Sequence, residues 1–446
     1  MIPLGNVADF EMGQAPPGTE CNKDGEGTLF VKAGEFGDLY PIEREWTTKP
    51  LKHGKRGDVF ICVVGATAGK LNLGTDCAIG RSVAAIRPRP TLETRYLYYQ
   101  LQPWVLKLRA ASAGSAQGVI SKKQLAEVPV TVPAIDEQRR IVAEIEKQFS
   151  RLDEAVANLK RVKAKLKRYG AAVLKAAVEG RLVPTEAELA RRDDRSYETG
   201  TQLLQRILET RRSQWKGKGK YKEPAAPDVT DLPDLPEGWV WASLDDIACD
   251  SGYGTSQKCS YENTGPAVLR IPNVQNGSLD LRDLKFAPSG FEVAPPDEIK
   301  VGDMLVIRTN GSKSLIGRAA VVLANPPRAI SFASYLIRFR LVAVDTLSSW
   351  VSVVWQTGRM RSWIESRAAT SAGQHNISMS VLATATVPIP PLAEQHRIVA
   401  EVDRRLSILG EVQAEVETNL TRGERLRHAV LSAAFIGSAI VEKHDR

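Results

Sequence analysis

Val132-Pro133-Ala134-Ile135-Asp136-Glu137-Gln138-Arg139-Arg140-Ile141-Val142-Ala143-Glu144-Ile145 occurs a second time in this chain, as Ile389-Pro390-Pro391-Leu392-Ala393-Glu394-Gln395-His396-Arg397-Ile398-Val399-Ala400-Glu401-Val402. Laying Ile120 on Ile377 gives an offset of 377 − 120 = 257, and 15 of the 33 positions in 120–152 match 377–409. Two unrelated amphipathic helices share a polarity pattern, not that many identities. The chain is a tandem duplication.

Downstream of each copy the sequence is helical in period. Ile141, Ile145, Phe149, Leu152, Val156, Leu159, Val162, Leu166, Tyr169 and Val173 recur at spacings of three and four, and no proline intervenes between Pro133 and Pro184. Proline ahead of the first turn and Glu137 within it suit a helix N-terminus. A narrow apolar seam flanked by charge is the pattern of a coiled coil, at a length of ~70 Å. A seam that long is buried only against an equally long partner. Ile398, Val402, Leu406, Leu409, Val416, Leu420, Leu426 and Val430 supply one. The fold class expected is α+β: two mixed α/β domains, each followed by a long helix. A rough two-fold relation between the copies makes the helices an antiparallel coiled coil with pseudo-two-fold symmetry.

The chain divides accordingly. Residues 1–132 carry strand-like runs at Thr28–Ala33, Asp58–Val64 and Val83–Ile86 between glycines and prolines. Thr94–Leu108 is helical in period with Pro103 inside it, and Ala110–Gly118 is a small-residue loop. Residues 133–183 form the first long helix and 184–238 a connector. The connector holds one short amphipathic helix (Leu203, Leu204, Ile207, Leu208), a basic cluster from Lys216 to Lys222 and a proline-rich run. Residues 239–389 repeat the first domain's plan, with Gly302-Asp303 answering Gly57-Asp58 and Ser371–Ser378 answering Gly114–Ser121. The second long helix spans 390–437 and a tail 438–446. The scaffold repeats while the loops diverge, as in two modules that share a fold and read different things.

Composition excludes more than it selects. Across 446 residues, five scattered cysteines form no Cys-x-x-Cys pair and, with five histidines, no zinc ligand set. No apolar run reaches a membrane span, and reduced thiols fit a cytoplasmic protein. A formal charge of +8 mildly favours a polyanionic partner. Gly65-Ala66-Thr67-Ala68-Gly69-Lys70 is one residue short for a phosphate loop, and Leu71 stands where a magnesium-binding hydroxyl belongs. Asn325-Pro326-Pro327-Arg328 resembles the tetrapeptide of amino-methyltransferases but has arginine in place of the stacking aromatic. No methyl-donor glycine fingerprint precedes it, since Gly252-Tyr253-Gly254 stops after two glycines. No catalytic constellation stands out.

Polar and cationic residues on corresponding loops remain: Lys70, Ser115, Gln117, Lys122 and Lys123 in the first copy; Arg308, Asn310, Ser312, Lys313, Gln374, His375 and Asn376 in the second. Such side chains supply phosphate contacts and base-edge hydrogen bonds.

The whole pattern resembles the specificity subunit of a Type I DNA restriction–modification system. The paired Pro-x-x-x-Glu-Gln-x-Arg-Ile-Val starts (Pro133 to Val142, Pro390 to Val399) carry the likeness. The helix ends Ala176–Val183 and Ala433–Gly437, and Leu235-Pro236-Glu237-Gly238-Trp239 before the second domain, support it. The first copy lacks that Pro-Glu-Gly-Trp lead, which leaves its edge open. The resemblance implies two target-recognition domains, each reading half of a bipartite DNA site. It also implies a helix pair that sets the spacer and docks two modification subunits. Glu137, Gln138, Val142, Glu394, Gln395 and Val399 are the expected docking residues, with Ala143 and Ala400 beside them. No metal or cofactor is expected on this chain. S-adenosylmethionine would sit on the modification subunits, and a restriction subunit would use ATP with magnesium. A coiled-coil adaptor with two protein-binding heads is the alternative reading; salt-insensitive partner binding and no DNA affinity would mark it.

Overall fold

The computed structural model describes residues 1–112, 119–215, 219–326, 328–371 and 373–441. By contacts the chain forms two compact units, Met1–Val162 with Glu415–Arg446, and Lys163–Ala414.

In the first unit the glycine-bounded apolar runs pair as strands. β1 (Ala8–Met12), β2 (Val59–Cys62), β3 (Leu71–Leu73) and β4 (Val83–Pro88) make a sheet of order β1-β4-β2-β3, antiparallel throughout. β2 is buried along its whole length, which is why it reads as a continuous apolar run. Pro103 acts as expected: a short 3₁₀ turn, Gln102–Trp104, separates helices Thr94–Leu101 and Val105–Ser112.

The first long helix, α1, runs Ile135–Val178. Within this unit Phe149 packs edge-on against Tyr99, and Arg427 of the last helix stacks over Phe149 and pairs with Asp153. A side chain at Gly423 would press on Val156 and Leu152.

The second unit takes up the rest of α1 and a connector more structured than its composition suggests. α2 (Glu186–Arg192) and α3 (Gly200–Ser213) each open with a capping box, Thr185 with Glu188 and Thr199 with Gln202. Leu203 and Ile207 of α3 are fully buried in the unit's core.

The second domain repeats the sheet. β5 (Ala248–Tyr253), β6 (Asp303–Ile307), β8 (Ala319–Val321) and β9 (Leu336–Leu341) pair in the order β5-β9-β6-β8, again all antiparallel; β7 (Thr309–Asn310) follows β6. The duplication reaches individual bonds. Arg87 grips buried Asp58 through Nε and Nη2 at 2.9 and 2.8 Å, and Arg340 grips buried Asp303 in the same way at 2.7 and 2.9 Å. Each aspartate also accepts from a backbone N–H three residues earlier, Lys55 or Lys300. The turn so closed needs a positive φ at its third residue, and Gly57 (98°) and Gly302 (87°) provide it.

Helix α4 (Gly358–Arg367) and a hairpin of β10 (Ala369–Ser371) and β11 (Gln374–Asn376) follow, then the last helix, α5 (Leu392–Val441). In this unit Ile398 and Val402 of α5 share a core with Val173 and Ala177 of α1. A side chain at Gly170 would press on Leu409 and Leu406.

Candidate nucleic-acid interface

One strand end in each domain gathers the expected loops. In the second domain β6 leads into Arg308, whose carbonyl accepts from Ile377 N at 2.9 Å while its own N–H donates to Tyr335 O at 2.9 Å. That closure lays the 369–376 hairpin beside β7 in a three-stranded sheet of order β7-β11-β10. Asn310 therefore stands opposite His375, and Thr309 opposite Asn376. In the first domain Ile120 N donates to Val63 O at 2.8 Å, the matching closure, and it brings the start of helix Lys122–Ala126 to the end of β2. There the 3₁₀ turn Gly65–Thr67 precedes Lys70.

The hairpin surface is polar and open. Gln374 and Asn376 are exposed and have no side-chain hydrogen bond among the described residues. His375 shares a 2.8 Å hydrogen bond through Nδ1 with Thr370 Oγ1, which fixes the ring. Asn310 Oδ1 accepts from Ser312 N at 2.8 Å, so its amide NH₂ stays available; Ser312 and Ser314 share a 2.9 Å hydroxyl contact. Lys313 is exposed, and its carbonyl accepts from Arg361. Arg308 lies over the Tyr253 ring, 4.6 Å from its centroid, with Nε sealed from solvent and unpartnered. A guanidinium stacked in this way keeps its outer edge for a planar acceptor.

Tyr253 is the residue that sequence reasoning passed over. It sits half-exposed at the end of β5, and the following Gly254 is required because a Cβ there would come within 2.0 Å of Phe332 O. An aromatic between two glycines at a strand end was the available signal.

In the first domain the candidates are less gathered. Lys70 spends its ammonium on the Phe36 carbonyl at 2.6 Å. Lys122 and Lys123 are exposed in a first helical turn capped by Ser121, with Lys123 3.9 Å from Glu127. Ser115 and Gln117, like Lys216 and Lys218 of the connector, lie outside the described residues. Burial pushes the Cys62 thiol up to about 11 and the Cys77 thiol up to about 12, so both stay protonated and inert. Among the described residues no group of three or more His, Cys, Asp or Glu is placed to hold a metal ion. None of the described helices is long and apolar enough to cross a membrane.

The expected docking residues need correction. Gln138 is fully buried, donating to Thr91 O and Pro133 O and accepting from Glu93 N, each at 2.8 Å. Val142 belongs to the first domain's core. Glu394 is fully buried too, accepting from Glu186 N at 2.8 Å and Trp239 Nε1 at 3.0 Å, and burial raises its pKa. Gln395 is buried and donates to Pro390 O at 2.9 Å. These four fasten each helix to its own unit and have no face left for another subunit. Glu137, paired with Arg140, and Val399 keep partial exposure. Ala143, with Ile141, Ala433 and Ala434, lines an apolar groove of about 850 Å³ in the first unit.

The family model for the Type I restriction modification DNA specificity domain matches residues 1–168. The StySPI specificity subunit of Salmonella potsdam is 24% identical over 377 residues, spanning 84% of this chain and 72% of that protein. The EcoKI specificity subunit of Escherichia coli (strain K12) is 22% identical over 377 residues, with the same coverage, 84% and 72%. Residues 1–168 thus match the Type I restriction modification DNA specificity domain, and most of the chain is similar to Type I specificity subunits. Solved structures share the fold. A chain from a study of complex assembly and conformational transition of the type I R-M system aligns with a TM-score of 0.65 at 18% identity, over 97% of this chain and 96% of that one. The HsdS subunit from Thermoanaerobacter tengcongensis aligns with a TM-score of 0.54 at 19% identity, over 97% and 95%. The open polar hairpin and the stacked arginine lie on loops whose sequences differ between the two copies.

Proposed function

We propose that this chain is the non-catalytic reader of a Type I system, with residues 1–132 reading one half of a bipartite DNA site and 239–389 the other. The observation that carries the reading is a repeated frame with unequal loops. Both domains use the same sheet order and the same buried Asp–Arg clamp, yet one presents Arg308, Asn310, Gln374, His375 and Asn376 where the other presents Lys122 and Lys123. Amides read adenine edges and guanidinium reads guanine, while exposed lysines hold phosphate.

The long helices, 133–183 and 390–437, act as the ruler between the readers, with 184–238 as connector and 438–446 as tail. They pair as an antiparallel coiled coil with pseudo-two-fold symmetry. Support comes from each unit separately: Phe149 meets Arg427 while Val156 meets Gly423, and Gly170 meets Leu409 while Ala177 shares a core with Ile398. In each case the partner number falls as the first rises. Two modification subunits carrying S-adenosylmethionine dock on this core, as does any restriction subunit using ATP and magnesium; the chain needs no cofactor of its own.

Reconstitution tests the reading. Modification subunits with this chain should methylate adenine in a bipartite site. Equal methylation with and without the chain would refute it.

A further inference from the structure

Arg359, at the start of α4, stands apart from the other arginines gripped by carboxylates. Its guanidinium lies 4.4 Å from the centroid of the Trp241 ring, and Nη2 donates to Thr386 O at 2.9 Å, with Thr386 Oγ1 3.3 Å away. Among the described residues it forms no ion pair, and burial alone pulls its pKa down. It lines a pocket of about 610 Å³ whose walls are largely apolar: Val178, Leu235, Pro236, Trp241, Val354 and Pro388. Two acids share that lining, Glu179 and Asp234; Glu179 is occupied by Lys175 at 3.7 Å and by Arg181. Asp228 and Asp231 line an adjoining pocket with Arg359, and Asp228 already accepts from Thr230 at 2.7 Å.

A partly desolvated guanidinium without an anion costs stability, and an arriving carboxylate would offset that cost. With Nη2 making only the Thr386 contacts, one edge of the planar fork remains for a carboxylate, the partner whose two oxygens match it. The counterpart strand of the first domain, Ile2–Pro3, carries no tryptophan, so the Trp241 stack has no equivalent on that strand.

We propose that this pocket is a docking socket for an acidic side chain, flanked by apolar residues, on the modification subunit. The inference rests on the reading of the chain as a specificity subunit. Charge complementarity chooses the occupant: the walls accept apolar neighbours, Asp234 at the rim is exposed to water, and the partly buried charge without an ion pair is a cation shaped for a carboxylate.

The test is full-length chain with purified modification subunits, compared as wild type, Arg359→Met and Arg359→Lys. Affinity is read by sedimentation, and the isolated chain's melting temperature is measured alongside. Methionine keeps the packing on Trp241 and removes the charge. It should weaken the complex roughly 30-fold or more, as truncating one partner of a buried interfacial charge pair does. The melting temperature of the isolated chain should hold or rise. Lysine keeps the charge without the fork and should fall between. Undiminished affinity of the methionine variant overturns the socket alone, and so does a lower melting temperature accompanying the lost affinity, which would mark a structural arginine. Failure of the wild-type chain to bind modification subunits overturns the specificity-subunit reading, and the socket falls with it.

Discussion

Replacing Asp303 by alanine removes three hydrogen bonds at once: two charge-assisted bonds from Arg340, at 2.7 and 2.9 Å, and one from Lys300 N at 2.8 Å. Breaking a buried pair by deleting one partner costs about 3–5 kcal/mol, mostly because a charge is left behind. Arg340 is 20% exposed and keeps the Glu298 carbonyl at 2.8 Å, so the loss belongs near the lower end, about 3 kcal/mol. In the first domain Arg87 is 37% exposed, and Asp58→Ala should cost less, about 2 kcal/mol. Hydrogen exchange resolves the two. Asp303→Ala should lower protection of β9 and β6 by roughly 100-fold while β4 and β2 stay protected, and Asp58→Ala should do the reverse more weakly. Asp303→Asn, which keeps the shape but not the charge, should fall between. A loss below about 0.5 kcal/mol, or equal loosening of both sheets by one substitution, would refute the claim that each copy carries its own clamp.

The same geometry sets other outcomes. Arg308→Ala should weaken DNA binding by the reconstituted complex roughly 10-fold or more and relax selectivity in one half-site, measured by competition with altered oligonucleotides; unchanged selectivity removes Arg308 from the reader. Glu186 is buried, which would raise its pKa, but Arg397 and Arg195, both at 2.6 Å, hold it below its ordinary 4.5. Its contribution is therefore present above about pH 4.5 and lost as pH falls through the lowered folded value, an acid limb that Glu186→Gln should abolish in exchange of α2. Glu394 has the opposite sign: its raised pKa makes the charged form a cost that grows as pH rises past 4.5, and Glu394→Gln should remove that trend. Inserting seven residues near 160–168 with seven near 417–425 adds ~10.5 Å of helix. It should lengthen the unread spacer with both half-sites unchanged; altered half-site bases would contradict the ruler.

The sequence showed the helices because their signal is local and unbroken: the three-and-four spacing from Ile141 onward and the absence of proline until Pro184 leave no other element to draw. It showed single strands such as β2 and β4 through their apolar runs, but not Ala8–Met12 or Leu71–Leu73, nor the order in which they pair. It did not show where polar side chains would point. Gln138 and Glu394 look like surface residues at a helix start, and only the chain folded around them supplies Glu93 N, Thr91 O, Glu186 N and Trp239 Nε1 as partners. Likewise Ala369–Asn376 has the composition of a loop, and its pairing as a hairpin depends on Arg308 holding Ile377. The Thr185–Glu188 capping box was readable and marks α2.

Sequencing the methylome of a host that expresses this chain with its modification subunits tests the central claim most directly. The account predicts one methylated-adenine motif in two short specified parts separated by unread bases, with only one part changing when residues 1–132 are exchanged. A continuous motif, or both parts changing on that exchange, would contradict it.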